Sequence, residues 1–160
     1  MRKKILYIGV LMIALMSLLT SSCIKNESCL PASNLLKTEI YTLTDVGDTI
    51  KYKINSFSLH VIGRKDSIYA NAKEIDEFYI PMADSTTDLN VVINMNGGMD
   101  TLWLHYKPFE VFRSTSCGVI NRYEIRNSTY TKNSIWQIFT INNLIDENKN
   151  TNFYLFYRSN

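Results

Sequence analysis

The chain has 160 residues, 46% hydrophobic and 20% charged, with 6 Gly, 3 Pro and 3 Cys, which excludes a disordered polyampholyte and a low-complexity chain. The formal charge of +2 includes Arg2, Lys3 and Lys4, in a segment that reads as removable; without them the chain is close to neutral. No composition argument for nucleic acid remains, and the length suits one domain.

Residues 1–22 have the layout of a signal peptide: a basic start, an apolar run from Ile5 to Leu19, then Thr20-Ser21-Ser22. The run of about 15 residues is near 22 Å as a helix, short of the roughly 30 Å hydrocarbon core. A cleaved signal is therefore preferred to a permanent span. With Cys23 the segment resembles the lipobox of bacterial lipoproteins, although Thr20 stands where Leu is usual and Leu19 lies one place further back. The resemblance implies a diacylglycerol on Cys23, cleavage before it and an acylated new N-terminus. Ordinary cleavage nearby, with Cys23 a plain thiol, is the alternative.

Lipid on Cys23 leaves Cys29 and Cys117 as an even pair in an oxidising compartment. A bridge between them closes a loop of about 88 residues, for which chain entropy gives about 4–5 kcal/mol; two buried thiols are the alternative. Residues 23–35 read as the lipidated N-terminus and tether, and 36–160 as the folded domain.

The domain is rich in Ile, Val, Thr, Tyr and Phe, in short runs punctuated by Asn, Asp, Gly and Ser. Candidate strands are 37–43, 56–63, 67–70, 76–82, 88–95, 101–107, 109–113, 118–126, 134–141 and 152–158. In one hairpin, Leu89, Val91, Ile93 and Met95 alternate on one side, and Leu102, Leu104 and Tyr106 continue the pattern. A two-residue Gly97-Gly98 turn makes opposed residue numbers sum to 195, so Ile93 faces Leu102, Val91 faces Leu104, Leu89 faces Tyr106, and Asn90 faces His105. The segments 135–141 and 153–157 are apolar on both faces and are expected to be central strands or partly an interface. Pro81 and Pro108 belong at strand ends or edges. The expected fold is all-β: a single antiparallel β-sandwich, immunoglobulin-like or related, with about 8–10 short strands.

Sites for chemistry are sparse. His60 and His105 sit opposite the main apolar set of their strands, and offer either a metal pair or general base, or ordinary sheet-face histidines; the second is preferred because no acid stands at ligand spacing. A hydrolase would need both close together beside an acid. Ser114, Ser116 and Cys117 lack a nucleophile signature. The acidic stretches Glu74–Glu77 and Asp84–Asp88 lack a calcium-loop pattern. No catalytic residue, metal ligand or cofactor is expected. Trp103 and Trp136, with ten tyrosines, offer aromatic ligand contacts or simple packing. Asp precedes Thr49, Ser67, Ser85 and Thr101, and each pair resembles the O-glycosylation acceptor motif of the Bacteroidota; turn composition alone also accounts for them.

Several segments together resemble an uncharacterised family of Bacteroidota lipoproteins, a domain of unknown function. They are Cys29-Leu30-Pro31, Phe57-Ser58-Leu59-His60-Val61, Asp66-Ser67-Ile68-Tyr69, Ile80-Pro81, Asp100–Tyr106, Ser116-Cys117-Gly118 and the last aromatic strand. Val119 departs from the aromatic that often follows the Cys-Gly pair. The resemblance brings location and fold, not catalytic residues. With no catalytic signature in the chain, the expectation is a non-enzymatic lipoprotein held in the cell envelope by its lipid, binding an envelope protein partner or serving as an accessory subunit. Residues 24–28 carry one acid and one base rather than an acidic cluster, which favours an outer-membrane protein facing the periplasm. The alternative is a surface lipoprotein that binds a glycan or host ligand.

Overall fold

The alternation read at 88–95 appears as a strand whose odd-numbered residues are buried and whose even-numbered residues face outward. A computed structural model describes residues 34–158; the signal segment, Cys23 and Cys29 lie outside them. The described chain is all-β, in eleven strands: β1 Leu35–Leu43, β2 Thr49–Lys51, β3 Phe57–Val61, β4 Ser67–Ala72, β5 Glu77–Pro81, β6 Asp88–Met95, β7 Gly98–Ser114, β8 Gly118–Tyr130, β9 Ile135–Thr140, β10 Leu144–Ile145 and β11 Thr151–Tyr157.

They form a two-sheet sandwich. One sheet runs β10-β8-β7-β6-β3-β4; the other runs β2-β1-β11-β9, with β5 also paired to β1. β5 lies along Leu35–Glu39 of β1 and β2 along Tyr41–Leu43. Every pairing of strands is antiparallel except β1 with β11, which is parallel. The inner faces meet in one core, where Phe57 of one sheet lies 5.0 Å from Phe78 of the other, ring centre to ring centre, both fully buried. Each such side chain contributes about 1.5–3 kcal/mol through burial.

Four sequence expectations need correction. The 88–105 hairpin turns at Asn96-Gly97, both with positive φ (50° and 89°), so paired numbers sum to 193: Val91 pairs with Leu102, Leu89 with Leu104, Asn90 with Trp103 and Asp88 with His105. Two contacts fix this register. Asn96 Oδ1 accepts the backbone N–H groups of Asn55 and Ser56 at 3.1 Å. Gly98 sits where an added Cβ would lie 1.6 Å from Ser134 Oγ.

The second correction merges 101–107 and 109–113 into the 17-residue β7. Pro108 is an edge proline in the interior of that strand. Tyr106 N–H reaches Thr87 O, and Pro108 turns its nitrogen to the same side, beyond the start of β6, where no ladder bond is forfeited. Pro81 ends β5 as expected. Third, β9 is an edge strand, and aromatic neighbours rather than another layer cover the outer face of the central β11. Fourth, the short β2 and β10 had no pattern long enough to announce them.

Candidate functional site

The two registers that flank β7 set out a polar surface on the outer face of the six-stranded sheet. Asn90 and Thr129 flank Trp103, while Asp88 and Asn127 flank His105. These residues line an open cavity of about 320 Å³. The Trp103 side chain belongs there because its neighbours Leu102 and Leu104 are buried in the core, leaving the indole 41% exposed. His105 Nδ1 lies 3.0 Å from Asp88 Oδ1, and Thr87 Oγ1 donates to Asp88 Oδ2 at 2.9 Å. The His105 contact, then the Thr87 hydroxyl, hold the Asp88 carboxyl below its ordinary range.

Next to it the 83–88 loop is pinned by two buried tyrosines. Tyr106 Oη donates to Ala83 O at 2.9 Å and lies 2.8 Å from Thr86 Oγ1; Tyr123 Oη donates to Asp84 Oδ1. Burial, then the Asp84 contact, raise the Tyr123 hydroxyl above its ordinary pKa. The loop and Pro108 line a second cavity of about 450 Å³, which shares Asp88 with the first. Glu110 and Asn121, with the strand parity of the inward-facing Tyr106 and Tyr123, line a separate cavity beside Asp84. The groove runs from the Trp103 indole past Asp88 to the 83–88 loop. Its chemistry is one aromatic plane with carboxylates, amides and hydroxyls: a surface for a polar, hydroxyl-rich ligand rather than an apolar one.

The structure separates several residues that sequence reading considered together. Trp136 is on the outer face of the other sheet, where the rings of Trp136 and Phe139 meet Phe156 at 6.1 and 5.5 Å, and Tyr41 stacks on Phe156 at 5.9 Å. Trp103 and Trp136 therefore do not share a site. His60 pairs with Val92, four residues along β6 from the partner of His105 and two strands away from it, which puts the histidines about 16 Å apart. His105 instead has the acidic neighbour Asp88, hidden from sequence reading by the two-residue error in register.

Thr49, Ser67 and Ser85 are exposed, at the start of β2, at the start of β4 and in the 83–88 loop; Thr101 is half-buried in β7. Cys117 lies in the turn between β7 and β8 and is disulfide-bonded. It is the sole cysteine among the described residues, and its expected partner Cys29 lies outside them. No group of three His, Cys, Asp or Glu side chains placed to hold a metal ion occurs among the described residues.

Residues 53–157 match a family of unknown function (DUF6452). The chain belongs to this family. The match takes in the whole groove and leaves out β1 and β2, so two strands of the smaller sheet precede the part of the chain that the family describes. No curated protein and no solved structure matches the chain.

Proposed function

We propose that this chain is a non-enzymatic lipoprotein of the Bacteroidota cell envelope, anchored by lipid on Cys23, which binds or assists other envelope components. One arrangement carries the reading: a signal-type apolar run ends in small residues and Cys23, twelve residues before β1 opens at Leu35. Three acyl chains there give effectively permanent anchoring, since one chain alone is marginal. Cys29 is the proposed partner of Cys117. The outer-membrane leaflet facing the periplasm is the proposed location, and Thr49, Ser67, Ser85 and Thr101 are the proposed glycosylation positions.

Labelled palmitate tests the anchor: the native chain takes up label and Cys23→Ser does not. A native chain without label would overturn the reading. Protease treatment of intact cells then separates the two membrane faces, and crosslinking from native membranes should capture a stable neighbour.

A second reading is favoured by the groove. Trp103 beside Asp88, Asn90, Asn127 and Thr129 offers one stacking plane and several hydrogen-bonding groups, which fits a saccharide ring. On a glycan array, binding by the native chain and its loss in Trp103→Ala would support it; flat curves for the native chain would remove it.

A further inference from the structure

Beyond Pro108 and Tyr123 no third described strand accompanies the β7–β8 hairpin, and Arg122 at its base donates to Glu147 of the β10–β11 connection at 2.7 Å. β6 begins opposite His105, and β10 meets β8 only at Glu124 and Tyr123. Among the described strands, residues 109–114 and 118–122 therefore pair only with each other. Six residues of strand make a ribbon about 20 Å long. Near its tip Phe112 pairs directly with Val119, and these side chains are 65% and 57% exposed. Cross-strand partners project to the same face. Glu110, two residues nearer the base, shares that face and is also exposed.

Two independent observations locate this tip relative to the rest of the chain. The first is the start of the described chain: Asn34 O accepts the Met82 N–H at 2.7 Å. The next two residues, Ala83 and Asp84, are held by Tyr106 and Tyr123 at the base of the ribbon. The described chain thus begins at the end of the sandwich from which the ribbon projects. The second is Cys117, which occupies the tip turn and is disulfide-bonded, while the remaining cysteines are Cys23 and Cys29. With Cys29 as its partner, six residues of roughly 20 Å at full extension separate the bridge from Cys23. The bridge itself adds about 6 Å between Cα atoms.

We infer that the β7–β8 ribbon is a foot on the membrane, with Phe112 and Val119 bedded in the lipid headgroup region beside the acylated Cys23. This rests on the lipid anchor proposed above. A tip held so close to an acylated residue cannot point away from the bilayer. Glu110 limits the depth: its carboxylate belongs in water, about 7 Å nearer the base along the strand. The contact is therefore shallow, at the level where amphipathic surfaces rest on a bilayer. A lipid tether alone would let the sandwich tumble; a second contact at the ribbon tip fixes how the groove is presented.

The test uses the full acylated chain in phosphatidylethanolamine–phosphatidylglycerol vesicles. Phe112→Trp adds a fluorophore at the tip, read against the native Trp103 and Trp136 background. Lipids brominated about 5–10 Å into the leaflet are the quencher. The added emission is expected to be blue-shifted and quenched, and that of Glu110→Trp to be quenched less. Phe112 is exposed, so its substitution leaves the core untouched. Unquenched emission from protein that floats with the vesicles, and whose Cys23 carries acyl mass, overturns the foot while the anchor stands, and returns the tip to a protein partner or a second copy. An unmodified Cys23 overturns the anchor and the foot with it.

Discussion

Asp100 shares the inward parity of Leu102, Leu104 and Tyr106, and it is 1% exposed. Its carboxylate takes four hydrogen bonds: Thr131 Oγ1 and Asn133 N on Oδ1 at 2.6 and 2.8 Å, Ser134 N and Ile135 N on Oδ2 at 2.7 and 2.9 Å. These satisfy backbone donors in the connection between β8 and β9, where no strand ladder can reach them. In the sequence Asp100 stands before a glycosylation candidate and opens one of the segments that carry the family resemblance. An acid on the buried side of an otherwise apolar strand was the available signal of a structural clamp. Asp100→Asn can keep its oxygen on Ser134 N and Ile135 N, but its NH₂ then faces Asn133 N–H, which is left unpaired, and the charge that all four donors met is gone. The expected cost is about 3 kcal/mol, because bonds to charged acceptors contribute about 1.5–3 kcal/mol each and a buried donor left alone adds its desolvation penalty. Urea unfolding at neutral pH measures it; a loss below about 1 kcal/mol would show that the connection finds other acceptors.

At the scale of the element, the β6–β7 hairpin separates what a pattern can specify from what it cannot. Alternation specifies parity, and the odd residues of β6 and the even residues of β7 from Asp100 to Tyr106 do face the core. Parity is unchanged when the register slips by two, so Gly97-Gly98 and Asn96-Gly97 turns satisfy the same apolar pattern. The local signal for the choice is Asn96-Gly97, the pair a type I′ turn prefers; distant contacts reinforce it, Asn96 on residues 55 and 56 and Gly98 under Ser134. Gly98→Ala is expected to cost about 1–3 kcal/mol, as overpacking does. Ser134→Ala in the same chain should recover part of this, since the Oγ at 1.6 Å disappears while Ser134 Cβ remains at 3.0 Å. Thermal melts of the two single variants and the double variant give the coupling. Additive losses would mean that the backbone, not Ser134, resists the methyl group.

For the whole molecule, composition and strand punctuation were enough for an all-β sandwich, whereas the groove depended on pairings that sequence alone left two residues off. The smaller sheet adds an electrostatic feature that no periodicity reveals. Glu39 of β1 accepts from Thr151 Oγ1 at 2.7 Å and Tyr41 Oη at 2.8 Å, and pairs with Lys37 and Lys51 at 3.2 Å; Lys37 also reaches Glu77 of β5 at 3.1 Å. One carboxylate thus links β1 to β2 and β11, and through Lys37 to β5. Burial alone would raise the Glu39 pKa, but the bonds from Thr151, Tyr41, Lys51 and Lys37 outweigh it and bring it down from 4.5 to about 2. Glu77, held by Tyr79 and Lys37, and Glu147, held by Arg122, are lowered as well. A carboxyl lowered on folding adds stability that is fully present above its unfolded pKa and is lost as pH falls towards its folded one. The sandwich should therefore hold its melting temperature from neutral pH down to about 4.5 and lose it progressively towards about 2. Glu39 supplies on the order of 3 kcal/mol of that change. In Glu39→Gln the melting temperature is lower at pH 7 and the acid-side slope is flatter, because the variant has no proton to take up at that position. Equal slopes in the two proteins would assign the acid sensitivity to the other carboxylates.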